Sequence, residues 1–198
     1  MISFKNNNNT EPYRKFRNLY NKAKRKEQTL IQAASIASFS KSSLEVDSRF
    51  VNLKILDGED FIFFTNYESP KSKQFKNHNQ ISINIYWSSI NTQIRMKAII
   101  RRLPKDFNMA YFKTRDLKKN ALAISSKQSQ VIRSFSDVKK DYDETFANKE
   151  LTICPEYWGG FAFQPFTFEF WEGHPARLNK RQLYFLETKK WKKSILQP

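Results

Sequence analysis

Two guanidinium groups four positions apart, Arg177 and Arg181, close the stretch of this chain richest in chemical information, residues 156–181 (EYWGGFAFQPFTFEFWEGHPARLNKR). Ahead of them an aromatic pair, Tyr157-Trp158, meets a double glycine, Gly159-Gly160, where the backbone is free to turn or to approach a partner closely. Alternating aromatics follow: Phe161 and Phe163, then Phe166, Phe168 and Phe170. Their parity changes across Gln164-Pro165, which predicts a strand, a bend or bulge at Pro165, and a second strand. Elsewhere the chain offers no Ser-His-Asp pattern and no Walker loop, and its two histidines have no cysteine cluster beside them. Hydrolytic triads, P-loop chemistry and zinc sites are therefore not expected. The 35 Lys+Arg against 19 Asp+Glu leave a formal charge of +16, which attracts polyanions: nucleic acid, an anionic membrane face or phosphorylated small molecules. Abundant Lys and Asn point to a compositional bias, so charge alone decides little.

The order WGGF, FEFW, five residues, then RLNKR closely resembles the C-terminal signature of the pyridoxamine 5'-phosphate oxidase family. Members of that family are FMN-dependent enzymes that make pyridoxal 5'-phosphate with O2 as acceptor and H2O2 as product. The resemblance extends over residues 32–198 and implies an FMN-binding split β-barrel. In the family's terms Arg49, Phe50, Val51, Asn52, Leu53 and Lys54 form the first flavin strand, with Arg49 on FMN and Lys54 between flavin and substrate. Phe64 and Thr65 would line the flavin, and Pro70 and Lys71 would stand at the FMN phosphate. Gln93, Gln128, Ser129, Trp171 and Arg181 complete the implied cofactor set. The resemblance also implies that Tyr111 and Arg115 grip the substrate phosphate, and on a helix i,i+4 spacing would put both on one face. Lys119 stands where the family usually has a serine on that phosphate. Arg177 and Asn179 would lie over the pyridine ring as the substrate-positioning pair at the reacting centre. Pro70, where an arginine is usual, and Asn179, where a histidine is usual, depart from the pattern. The resemblance further implies a homodimer with FMN at the interface.

Stepping along the chain gives the elements that must position these groups. Residues 1–10 are polar, with four consecutive asparagines, and read as a disordered arm. Residues 11–198 read as a single domain. A helix follows the arm, with Thr10 as a cap, Pro12 in its first turn, and Phe16, Leu19, Tyr20 and Ala23 on one apolar face. Strands are expected at 33–39, 49–55, 61–65, 81–87 and 93–102, with Asp57-Gly58 as a hairpin turn. Flat alternation would put Arg49 and Lys54 on opposite faces. Helices are expected from Pro70, at 105–114, 117–123 and 137–146, and strands return at 183–186 and 191–195. The pattern predicts a mainly β, α+β fold: an antiparallel barrel with peripheral helices. One cysteine, no apolar leader and no long apolar run point to a cytoplasmic, non-membrane protein. Alternatives to the oxidase are a divergent barrel that binds flavin or pyridoxal phosphate without catalysis, one acting on another amine or a phenazine-like ring, and a basic nucleic-acid-binding module.

Overall fold

The computed structural model describes residues 1–198 as ten strands and five helices. In chain order the elements are β1 (Ser3–Lys5), α1 (Glu11–Arg25), β2 (Ala33–Ser40), β3 (Glu45–Asn52), β4 (Ile55–Asp57), β5 (Asp60–Asn66), α2 (Pro70–Asn77), β6 (Gln80–Trp87) and β7 (Thr92–Arg102). Then come α3 (Lys105–Lys113), α4 (Leu117–Ser125), α5 (Phe135–Asn148), β8 (Trp158–Glu172), β9 (Lys180–Glu187) and β10 (Lys190–Leu196). The main path of the sheet runs β1-β4-β5-β8-β7-β6-β2-β3, with β9 and β10 branching from β8. The sheet is open. Its pairs are antiparallel except β1 with β4, so it is mixed rather than purely antiparallel.

The fork at β8 comes from the sequence around Pro165. The first half of β8 pairs with β5, from Asn66↔Trp158 to Phe61↔Phe163. The second half pairs with β9, from Thr167↔Phe185 to Glu172↔Lys180. On the other side β7 follows β8 throughout, with a register shift where Lys97↔Thr167 gives way to Ala98↔Pro165. Phe166 is the extra residue of this bulge, which accounts for the parity change among the phenylalanines. Phe161, Phe163, Phe168 and Phe170 are all buried. Helix α1 drops Tyr13, Phe16, Leu19, Tyr20 and Ala23 into the same core. Phe16 meets Phe61 edge-on at 4.9 Å, and such aromatic contacts recur through the interior.

Two local readings are corrected. The opening segment is not a loose arm: Ser3 pairs with Ile55, Ile2 is buried, and the Ile2 N–H donates to Tyr20 Oη at 2.9 Å. A three-residue strand, with only Ile2 and Phe4 packed inward, is too short to give a periodic signal, and the exposed edge of β4 supplies its hydrogen bonds. Thr10 occupies the N-cap position, but its hydroxyl donates to Asn8 Oδ1 at 2.7 Å and caps nothing. No helix is long and apolar enough to cross a membrane.

The double glycine is a close-approach site. A Cβ at Gly159 would lie 2.3 Å from Tyr67 Oη and 2.4 Å from Asn108 Nδ2. Those atoms cannot easily yield. Tyr67 Oη donates to Gly160 O at 3.0 Å and accepts from Asn108 Nδ2 at 3.0 Å, while the Gly160 N–H donates to Asn108 Oδ1 at 2.8 Å. Gly159→Ala should therefore cost about 1–3 kcal/mol of stability, read as a lowered midpoint in chemical denaturation; an unchanged midpoint would show that the lock is slack.

Candidate functional site

A cavity of about 920 Å³ opens between β3, the end of β5, the start of α2 and helices α3 and α4. Its walls bring together residues that are far apart in sequence. Arg49, Phe50, Val51 and Asn52 come from β3, Phe64 and Thr65 from β5, and Pro70 and Lys71 from α2. Tyr111 approaches from α3, Lys119 from α4 and Gln128 and Ser129 from the loop beyond, while Arg115 lies in the bend between the two helices rather than on one helical face with Tyr111, because α3 ends at Lys113. Lys54 joins Arg49 in this cavity, against the flat-strand expectation. The reason is a break after β3. The Leu53 N–H donates to Gln32 O at 2.9 Å and the Lys54 N–H to Ile62 O at 2.8 Å, so the ladder changes partners between them. Leu53 itself turns fully into the core and does not line the cavity, contrary to its expected place among the flavin residues.

Two groups of cations face this space. In the first, the Arg49 guanidinium is fixed by donation to Ser38 Oγ at 2.6 Å, Ile36 O at 3.3 Å and Gln74 Oε1 at 3.2 Å. Burial lowers its pKa. Beside it Lys71 is buried, and its Nζ donates to Ser69 Oγ at 3.0 Å and Gln128 Oε1 at 3.2 Å. Burial, then the Arg49 charge, push Lys71 down to about 8. Ser69 and Pro70 begin α2, whose N-terminus adds a favourable dipole end for an anion. Pro70 contributes no N–H there.

The second group is Lys54, Arg115 and Lys119. Burial lowers the pKa of Lys54, and the charges of Lys119 and Arg115 lower it further. Burial likewise lowers Arg115. Its Nη1 is buried with no hydrogen-bond partner, and Nη2 reaches only Lys119 O at 3.4 Å. The guanidinium lies 4.3 Å over the Trp158 ring. Tyr111 is held by stacking on Phe64, with centroids 3.8 Å apart and planes 4° apart. Arg49 has one distant carboxylate partner, Asp47 at 3.8 Å, and none of Lys54, Lys71, Arg115 and Lys119 forms an ion pair with a carboxylate. Cations so placed are costly unless an anion neutralises them. A phosphate ester at each group fits the donor set, and the orphaned Arg115 Nη1 is the clearest sign of it.

The remaining expected residues lie elsewhere. Gln93, Trp171 and Arg181 form one cross-strand row on β7, β8 and β9. Trp171 sits eleven residues beyond Gly160, the partner of Phe64, which is roughly 35 Å of extended strand. Arg181 Nε donates to Glu169 Oε1 at 2.9 Å. Arg177 is exposed in the loop after β8, with a positive φ of 63°. Asn179 staples that loop: its Oδ1 accepts from the His174 N–H at 3.0 Å and its N–H donates to Arg177 O at 2.8 Å. One chain thus carries two separate sets of the expected residues. The sequence reading missed Gln32, Asp47 and Ser48 in the cavity wall, and Ser38 and Gln74 behind Arg49. Short polar residues on strands carry no pattern that would single them out. It also assigned no role to Trp158, although the Tyr157-Trp158 pair was visible.

Residues 22–149 match the family model for pyridoxamine 5'-phosphate oxidase. The chain belongs to that family. Residues 158–198 match a second model, the pyridoxine 5'-phosphate oxidase C-terminal dimerisation region. A pyridoxine/pyridoxamine 5'-phosphate oxidase of Colwellia psychrerythraea is 32% identical over 193 residues, covering 96% of this chain and 88% of the relative. One from Legionella pneumophila is 36% identical over 155 residues, covering 77% and 72%. Among solved structures, PhzG from Burkholderia lata, in complex with tetrahydrophenazine-1-carboxylic acid, superposes with a TM-score of 0.90 at 23% identity, covering 96% of this chain and 93% of its own. A pyridoxamine 5'-phosphate oxidase-related, FMN binding protein from Nostoc punctiforme gives 0.79 at 14%, covering 95% and 98%. At these identities the two structures bear on the fold, and they agree with the split-barrel expectation.

Lys71 gives the site a pH signature. A phosphate dianion beside it favours the ammonium form and raises its pKa above the free value of about 8. Affinity for a phosphate ester should then be full below pH 8 and fall as pH rises through 8, by up to about tenfold per unit. Calorimetry in buffers of different ionisation enthalpy should show proton uptake on binding at pH 9 and little at pH 7. Equal uptake in Lys71→Met would assign the proton to another group.

Proposed function

We propose that this chain is an FMN-dependent oxidase that converts pyridoxamine or pyridoxine 5'-phosphate to pyridoxal 5'-phosphate. The observation that carries this reading is the pairing of two cation groups on one cavity, in which only Arg49 has a carboxylate partner, Asp47 at 3.8 Å, and one of which stands beside a helix N-terminus. Two phosphate esters, one on the cofactor and one on the substrate, satisfy them. Arg49, Lys71 and Gln128 would hold the FMN phosphate, and Phe50, Val51, Asn52, Phe64, Thr65 and Ser129 would wall the flavin. Tyr111, Arg115 and Lys119 would bind the substrate phosphate, leaving Lys54 between the two ligands.

When bound, FMN supplies a hydride acceptor for the carbon bearing the amine or alcohol and passes the electrons to O2. The protein's share is orientation and charge neutralisation, which need no acid–base triad. Gln93, Trp171, Arg177, Asn179 and Arg181 would enter the site from the partner of a homodimer. The run of roughly 35 Å of strand from Gly160 to Trp171 supports this, as does the match of residues 158–198 to a dimerisation region.

Purified protein supplied with FMN should consume oxygen with pyridoxamine 5'-phosphate and release peroxide and pyridoxal 5'-phosphate in equal amounts. Oxygen uptake absent with both phosphorylated vitamers, on a flavin-loaded protein, would remove the oxidase and leave a flavin-binding barrel.

A further inference from the structure

Arg115 is placed without hydrogen bonds that could place it. Its one contact of that kind, to Lys119 O, is long at 3.4 Å, and Nη1 has none. Aromatic rings hold it instead. Its guanidinium lies 4.3 Å over Trp158 and 5.3 Å over Phe112. Trp158 is itself immobilised, being 5% exposed and met edge-on by Phe112 at 4.8 Å.

Trp158 also belongs to a larger unit. Asn66 pairs with Trp158 and Phe64 pairs with Gly160, so Phe64 and Trp158 are diagonal neighbours on β5 and β8. Their rings lie 5.2 Å apart and within 6° of parallel. Phe64 carries the Tyr111 ring, and Trp158 carries the Arg115 guanidinium. Gly160 keeps the space between sheet and helix clear, since a Cβ there would come within 2.6 Å of Leu103 Cδ1 and 3.0 Å of Phe64 Cε1. The two-ring platform thus sets where the Tyr111 hydroxyl of α3 and the Arg115 guanidinium, just beyond the end of that helix, stand relative to each other.

We infer that Trp158 is a positioning residue for the substrate phosphate, its ring fixing Arg115 at the spacing from Tyr111 that one phosphate requires. This rests on the reading that Tyr111 and Arg115 hold that phosphate. A long, otherwise unanchored arginine would sample many rotamers, and each phosphate bound would have to order it. The platform removes that cost and leaves the N–H fork free for the ligand.

The test uses FMN-loaded protein and pyridoxal 5'-phosphate as the calorimetric probe. Trp158→Leu should weaken its binding roughly three- to thirty-fold, with a parallel rise in KM for pyridoxamine 5'-phosphate, little change in kcat and unchanged flavin content. Trp158→Phe, which retains a ring face, should recover most of the affinity. In an Arg115→Ala background Trp158→Leu should add no further loss. A folded Trp158→Leu with unaltered affinity, or one whose loss is the same with and without Arg115, would overturn the inference. Should the leucine variant fail to fold, Trp158→Met and Trp158→Phe carry the same comparison. A wild-type protein that binds pyridoxal 5'-phosphate without consuming oxygen removes only the oxidase reading, and the binding comparison still decides the role of Trp158. A wild-type protein that does not bind it at all overturns both.

Discussion

Positive charge in excess of its carboxylate partners is the constraint on which the rest of this structure depends. Arg49 and Lys71 crowd one part of the cavity, and Lys54, Arg115 and Lys119 crowd another. Burial and mutual repulsion depress Lys54 and Lys71 together. Such groupings oppose folding unless something anionic completes them. Three of the five cations sit on rigid supports. Arg49 is tied to Ser38 and Gln74, Lys71 to Ser69 and Gln128, and Arg115 to the face of Trp158.

The scaffold that holds these supports is organised by β8. Its bulge at Phe166 lets one strand serve two neighbours, β5 near the cavity and β9 at the far end. At its start, the lock of Tyr67 and Asn108 around Gly159 and Gly160 brings α3 close to the sheet. That approach lets Phe64 and Trp158 meet Tyr111 and Arg115. The same strand therefore sets both the core packing and the spacing of the ligand groups.

Much of this was legible in the sequence, for physical reasons that differ by element. Ile81, Ile83, Ile85 and Trp87 alternate because β6 has one buried face, and its strand was plain. The Phe163-to-Phe166 parity change announced the bulge. The hairpin at Asp57-Gly58 was marked by a residue pair that accepts positive φ, and Gly58 has φ of 58°. Strand β1 was hidden because Ile2 and Phe4 alone are too short a run to make a period. The resemblance put Arg49 and Lys54 at one site, but strand alternation alone did not, because a change of ladder partner at Leu53 leaves no compositional mark. Leu53 shows the converse: a position inside a binding motif whose side chain belongs to the core. Trp158 was visible as an aromatic, but only its contact with Arg115 gives it a part in the site.

The most direct test of the central claim is the flavin content of the purified chain, read from its visible spectrum after reconstitution with FMN and removal of the excess. If the cation groups are anion sites built for this cofactor, flavin should remain bound in stoichiometric amount. A colourless protein after reconstitution would contradict the account, leaving the fold intact and the charges in the cavity assigned to some other anion.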